Sequence, residues 1–242
     1  PSTIADAVKA LKEEDAQALG GGQTLIPTLK QRLAMPSILV SLTAIGEMQG
    51  VCMSDVGEVC VGGATTHATI AREATAYPGL AAMAARIGDP AVRNRGTIGG
   101  SLANNDPSAC YPAAALASGA SIITNSREIA ADDYFQGMFT TALEEGEVVT
   151  EVRFPVPEKS HYEKFVQPAS RFALVGVMVA KYADGVRVAV TGASESGVFR
   201  WTEAEAALSA NFTADALGDL SLDGDGMIAD LHGSGAYRAH LV

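Results

Sequence analysis

Two short segments carry the groups from which chemistry could be built. One runs Thr97-Ile98-Gly99-Gly100-Ser101-Leu102-Ala103-Asn104-Asn105-Asp106-Pro107. Adjacent glycines let a ligand approach the main chain closely, because no Cβ stands in the way. Thr97, Ser101 and Asn104 add hydroxyl and amide groups at short spacing, and Asp106 adds a carboxylate before a proline. That composition suits a cradle for phosphate groups; an ordinary glycine turn is the plain alternative. A second glycine run, Gly20-Gly21-Gly22-Gln23-Thr24, lies far upstream. It follows a short apolar stretch and precedes Leu25, Ile26, Leu29 and Leu33 at helical spacing. Strand, glycine loop and helix start, in that order, present free N–H groups and a positive dipole end to an anion.

Neither segment is a general nucleotide fingerprint. Gly20 and Gly22 give G-x-G, but Leu25 takes the third glycine's place. About twenty residues further on, where a ribose-binding carboxylate belongs, stands Ser41. No Gly-Lys-Ser/Thr follows, so it is not a Walker loop. Cysteines 52, 60 and 110 are odd in number and lack C-x-x-C spacing. This argues against a disulfide framework or a thiolate metal site, and for a reducing compartment. Histidines 67, 161, 232 and 240 form no H-E-x-x-H pattern. His67 is expected to cap a helix or face solvent. His161 is the nearest candidate acid or base, though a plain strand-start role suits it better. Arg93 and Arg95 could meet a phosphate or carboxylate, or simply pin a loop.

Several elements must position these groups. Ser2 or Thr3 caps a helix carrying Ile4, Ala7, Val8 and Leu11. Residues 16–19 and 38–42 read as strands. Thr24 caps the helix after the first glycine run, with Pro27 in its first turn. Residues 50–55 and 58–63 form a strand pair, Thr65 or Thr66 opens a helix to about Ala76, and another helix covers 80–87. A small-residue helix at 109–118 is followed by strands near 120–124 and 127–130, and Asp132 or Asp133 caps Tyr134-Phe135. Residues 147–154 alternate as a strand, and Pro155 and Pro157 mark a domain boundary. Beyond them, strands at 162–166, 173–182 and 186–190 are expected. The last two are joined by Asp184-Gly185 in a type I′-compatible turn. Helical patches at 202–209, 213–217 and from 235 onward complete the chain. It starts without Met and has no helix stop before Val242, so further residues are expected at each end.

The 242 residues allow one large domain or two small ones, and 48% hydrophobic with 19% charged residues indicates a globular chain. A net charge of −11 argues against nucleic acid, whose phosphates need the opposite sign. The uncharged run 107–126 is broken by Pro112 and Gly119, so no membrane span is expected. No signal-peptide pattern is visible.

With their flanks, both glycine segments resemble the flavin motifs of the FAD-binding medium subunits of molybdenum-containing hydroxylases. Aerobic carbon monoxide dehydrogenase belongs to that family, and the FAD domain of xanthine dehydrogenase is related. The likeness covers residues 20–34, 95–107, 140–155, 162–165, 168–173 and 230–234. It implies an α+β fold: a two-lobed FAD-binding domain of the vanillyl-alcohol-oxidase (PCMH) type, with lobes at 1–50 and 51–156. A C-terminal domain, 157–242, would carry a three-stranded antiparallel sheet and a helical bundle. Non-covalent FAD would lie between them, since the first motif lacks the histidine that covalent members carry. Gly20, Gly21, Gly22, Gln23 and Thr24, with Thr97, Ile98, Gly99, Gly100 and Ser101, would hold the pyrophosphate through backbone amides and hydroxyls. Asn104 would stand near the phosphates, Val148 beside the nucleotide half, Lys164 against the flavin and Ile87 over one ring face. Cys110 stands where relatives usually carry an aspartate on the ribose or adenine side, so affinity is lower or Asp106 takes over. Phe172 stands where the carbon monoxide dehydrogenase pattern has a flavin-side tyrosine; it keeps the stacking face and loses the hydroxyl.

The resemblance further implies an electron-transfer subunit in a dimer of heterotrimers. A large subunit would hold the molybdenum cofactor and a small one two [2Fe-2S] clusters, for which this chain lacks the cysteines. Electrons would leave through FAD to an external acceptor, a role needing no general acid or base. A cytoplasmic location follows, with association at the inner membrane face left open. Two other readings stand beside it: a free-standing flavin oxidoreductase with its own organic substrate, and a nucleotide-binding or assembly module that has lost redox function.

Overall fold

The computed structural model describes residues 1–242. At the N-terminus, α1 (Ile4–Ala10) is capped by Thr3, whose Oγ1 accepts from the Asp6 N–H. The strands β1 (Ala16–Leu19) and β2 (Ile38–Ser41) pair in parallel, joined through α2 (Leu25–Lys30). Their small core of Ala7, Val40, Leu42, Ile45 and Met48 is completed by Ala64 and Val148 from the next unit.

That unit is a five-stranded antiparallel sheet, built from β3 (Val51–Met53), β4 (Glu58–Gly62), β5 (Ser121–Thr124), β6 (Glu128–Ala130) and β9 (Val149–Pro155). Its spatial order is β3-β4-β9-β5-β6. Alternate side chains on one face, Val59, Val61, Ile122, Val152 and Phe154, are buried against helices. Each such side chain contributes about 1.5–3 kcal/mol. The helices are α3 (His67–Glu73), α4 (Pro78–Ala85), α5 (Pro90–Arg93), α6 (Ile98–Asn104) and α7 (Tyr111–Ser118). Every residue of α7 is buried, which explains its alanine-rich composition: only small side chains let it lie between two sheets. A one-turn helix α8 (Ala131–Tyr134) and a small hairpin, β7 (Phe135–Gly137) with β8 (Thr140–Thr141), lead back to β9. Asp132 and Asp133 lie inside α8 and do not cap it. Asp132 instead pairs with Arg187 at 2.7 Å and Arg200 at 3.4 Å.

The remainder is an antiparallel meander of four strands: β10 (Lys159–Val166), β11 (Ala173–Tyr182), β12 (Gly185–Ser194) and β13 (Gly197–Arg200). The expected three-stranded sheet is thus one strand short. The four residues of β13 are too few to show alternation. The expected helical bundle is also absent. α9 (Thr202–Ala210) packs through Ala204 and Leu208 on Val186 and Val188, while α10 (Gly235–Leu241) covers Val175 and Val190 with Leu241. Met178, Ala180 and Ala189 point the other way, into the large core. A sheet buried on both faces reads as a continuous apolar run, as β11 does. The β11–β12 turn is not type I′. Tyr182 pairs with Gly185, and neither Ala183 nor Asp184 between them has positive φ; only Gly185 does, at 155°. No helix is long and apolar enough to cross a membrane.

Candidate flavin cleft

The two glycine segments meet backbone to backbone. A Cβ on Gly21 would lie 2.0 Å from the Arg95 carbonyl oxygen, and one on Gly20 would lie 2.8 Å from Thr97 Oγ1. Behind them, a Cβ on Gly99 would lie 2.6 Å from the Gly63 oxygen, and one on Gly63 would lie 2.0 Å from the Val149 oxygen. Gly100 differs: apart from Thr97 Oγ1 at 3.0 Å, its Cβ would meet nothing. It faces a cleft of about 760 Å³ between the N-terminal pair, the five-stranded sheet and the C-terminal sheet.

The first glycine run, Gly20 to Thr24, forms one rim of this cleft. Thr97, Gly99, Gly100, Ser101 and Asn104 from α6 line the adjoining wall, followed by Asp106 and Cys110. Val148 enters from the loop before β9, Ile87 from the end of α4, and Lys164 and Phe172 from the C-terminal unit. Ile98 is the exception among the sequence-expected residues. Its side chain is fully buried in the core and its N–H donates to the Thr65 carbonyl.

The amide donors are also divided differently from expectation. Around the start of α6 they are already engaged: Gly99 N–H with Gly63, Gly100 N–H with Thr97 Oγ1, and Ser101 N–H with the Thr97 carbonyl. By contrast, the N–H groups of Gly21, Gly22, Gln23 and Thr24 meet no protein acceptor. Thr24 stands at the N-cap of α2 in helical conformation and makes no side-chain cap. Four successive free donors at a glycine loop are the groups from which an anion nest can be built. The α6 segment supplies a close, side-chain-free wall and the Thr97 and Ser101 hydroxyls, while the first loop supplies the backbone donors.

Lys164 is 4% exposed, yet its Nζ donates only to the Arg86 carbonyl, at 3.1 Å. Its neighbour Glu163 is taken by Arg86 at 3.0 Å, and this guanidinium holds the Glu163 carboxyl down at about 2. A buried cation without a counter-ion is costly, and facing a cleft it is a site for an anionic ligand. Phe172 follows two left-handed residues, Ser170 (φ 65°) and Arg171 (φ 57°), and packs in a T-shaped pair with His232, ring centroids 5.4 Å apart. The loop bearing Asp106 and Cys110 is gripped from β12. Thr191 Oγ1 donates at 2.8 Å to the Pro107 or Ala109 carbonyl, and the Gly192 N–H reaches Pro107 at 2.7 Å. Asn105, at φ 42°, donates to the Gly137 and Thr140 carbonyls and turns the chain at the end of α6. Arg93 pins the loop that carries Ile87, donating to the Ile87 and Gly88 carbonyls.

Two cleft residues were missed by sequence reasoning. Glu147 accepts from Thr124, Ser126, Arg127 and the Glu144 N–H, and these bonds, led by Arg127, hold its carboxyl below the usual carboxylate range. It fixes the approach to Val148; its place in an alternating strand pattern hid that role. His67 is neither a cap nor exposed, since Thr66 caps α3 and His67 is 5% exposed. Its ring lies 5.2 Å from that of Tyr111, and its Nδ1 has no partner. Burial, then the charge of Arg93, lowers its pKa to about 4. An unfolded chain would protonate this histidine near 6.5. Between about pH 6.5 and 4 the unfolded state therefore binds the extra proton, so stability rises with pH there and falls on acidification. His67→Gln is expected to flatten the fall in denaturation midpoint from about pH 7 to 3, removing on the order of 3 kcal/mol of pH-dependent stability, about 2 kcal/mol of it between about pH 7 and 5. His161 lies outside the cleft, exposed beside Glu163 at 3.3 Å.

Residues 1–157 match the sequence family described as the FAD binding domain in molybdopterin dehydrogenase. The chain belongs to this family. The carbon monoxide dehydrogenase medium chain of Afipia carboxidovorans is 39% identical over 197 residues, 76% of this chain and 68% of that one. The nicotine 6-hydroxylase medium subunit of Paenarthrobacter nicotinovorans is 35% identical over 262 residues, covering 100% of this chain and 91% of its own. Among solved structures, a reconstituted CO dehydrogenase from Oligotropha carboxidovorans superposes with a TM-score of 0.90 at 31% identity, over 100% of this chain and 91% of that one. The family is one of FAD-dependent dehydrogenase subunits, and this chain is a medium, FAD-type subunit of the molybdenum hydroxylase class.

Proposed function

We propose that this chain is the FAD-carrying relay of a heterotrimeric molybdenum hydroxylase, assembled as a dimer of heterotrimers. It would take electrons from iron–sulfur clusters of a small subunit and pass them to an external acceptor. The observation that carries this reading is the cleft in which both glycine segments, Lys164 and Phe172 converge. Its residues fit FAD by their chemistry. The free amides of Gly21 to Thr24 would bind pyrophosphate oxygens, and the bare Gly99–Gly100 backbone admits the chain of phosphates. The buried ammonium of Lys164 would meet the electron-rich edge of the flavin, and Ile87 and Phe172 supply apolar surface for its ring. Asp106 and Cys110, which line the same cleft, would face the ribose or adenine side of the nucleotide. When bound, FAD supplies reversible electron uptake and release. The chain's own residues bind and orient it and exclude water from one side. The lobe arrangement is taken to be of the vanillyl-alcohol-oxidase type.

A free-standing oxidoreductase would need an acid or base beside the flavin tuned to its working pH. The nearest candidate in the sequence, His161, is on the outside. His67, which does line the cleft, is buried with its pKa lowered to about 4, too low for a base at neutral pH. Isolation of the native protein tests the reading. We expect a yellow complex that copurifies with a molybdenum subunit and an iron–sulfur subunit. A yellow monomer that oxidises an organic substrate by itself would overturn it.

A further inference from the structure

The edge hairpin of the five-stranded sheet holds a feature unrelated to the cleft. Cys52 on β3 is directly opposite Cys60 on β4. The Gly62 N–H bonds to Gly50 at 3.0 Å and the Ser54 N–H to Glu58 at 2.9 Å, one on each side of the pair. Cys52 and Cys60 therefore occupy a hydrogen-bonded register position, and their side chains leave the same face of the sheet. That face is the outer one, because the flanking Val59 and Val61 are fully buried against the core. Cys52 is exposed on the edge strand, and Cys60 lies beneath it at 5% exposure, with Arg153 of β9 on its other side.

Residues paired this way have Cα atoms about 5.5 Å apart, within the roughly 4.4–6.8 Å that a disulfide spans. Their Cβ atoms, typically about 4.5–5.5 Å apart across strands, must draw in toward about 3.8 Å. The strands can supply that movement at an edge, and the bond so formed is strained and readily reduced. We propose that Cys52 and Cys60 form a reversible redox pair, closed to a cross-strand disulfide by hydrogen peroxide and reopened by a dithiol reductant. Peroxide oxidises the exposed Cys52: an S–O bond forms, the O–O bond breaks and water leaves. The Cys60 sulfur then attacks that sulfenic acid. An S–S bond forms, the S–O bond breaks, and the Cys60 proton leaves with hydroxide as a second water. Burial, with Glu151 adding to it, pushes the Cys60 thiol up to about 11, which leaves Cys52 as the thiol that meets the oxidant. Cys110, the third cysteine, lies in the cleft at the start of α7 and has no such partner.

The purified full chain, treated with a small excess of hydrogen peroxide and then denatured, tests this directly. We expect titratable thiols to fall from three to one, the intact mass to drop by two hydrogens, and a non-reducing digest to link the Cys52 and Cys60 peptides. Dithiothreitol should restore all three thiols. Cys52→Ser should lose none of its mass as hydrogen and form no linked peptide. Oxygen addition at Cys52 with Cys60 still free, a disulfide between two chains, or three surviving thiols would each overturn the proposal. None of these readouts depends on flavin or on partner subunits, so they stand apart from the proposed function.

Discussion

Gly100→Val is expected to give a folded chain that no longer retains FAD. Gly100 lies in the first turn of α6, where a Cβ meets only Thr97 Oγ1, at 3.0 Å. Added methyl groups would project into the cleft, across the wall that the two glycine segments leave bare. Replacing a helical glycine also recovers about 0.5–1 kcal/mol of backbone entropy, which offsets crowding at Thr97. The thermal midpoint should therefore stay within a few degrees of the parent, while FAD titration shows no saturable change in fluorescence. The neighbouring glycines make the control. Gly21→Ala and Gly99→Ala place a Cβ 2.0 Å and 2.6 Å from carbonyl oxygens of Arg95 and Gly63, so both must move main chain and should destabilise the fold itself. Normal FAD retention by Gly100→Val would remove α6 from the site.

Lys164→Met should move stability and affinity in opposite directions. Without a ligand the buried Lys164 ammonium has one carbonyl partner and no carboxylate, so its burial is poorly compensated. Replacing it with an apolar side chain of similar length should leave the apo chain as stable as the parent, or more stable by about 1–4 kcal/mol. If Lys164 meets the flavin as proposed, the same change would remove a charge-assisted hydrogen bond to it and should weaken FAD about ten- to hundredfold. Differential scanning calorimetry of the apo chain and FAD titration together read both quantities. A variant that is both less stable and unchanged in FAD affinity would mean that Lys164 serves the β10 strand and not the cleft.

Much of this arrangement was legible in the sequence because it rests on local rules. Glycine runs mark close backbone approach, and alternation in 149–155 marks a sheet with one buried face. What was not legible depends on partners distant in the chain. The amides of Gly99 and Gly100 read as free donors in a glycine motif, but Gly63 and Thr97 already engage them; the free ones belong to Gly21 to Thr24. His67 reads as a helix cap or a solvent-facing residue because what lies against its ring, Tyr111, is distant in sequence. β13 escaped notice because four residues carry no period, and the type I′ turn failed because the left-handed glycine falls one position past the loop. Cys52 and Cys60 looked unrelated until β3 and β4 fixed their register.

In the function proposed above, the free amides of Gly21 to Thr24 hold the pyrophosphate of FAD. Amide hydrogen exchange of the full chain, measured with and without saturating FAD, tests it most directly. Residues 21–24 have no protein acceptor and should exchange fast in the apo chain, then slow by at least about tenfold when FAD binds. FAD binding that leaves those amides exchanging at the apo rate would mean that the first glycine loop does not hold the pyrophosphate.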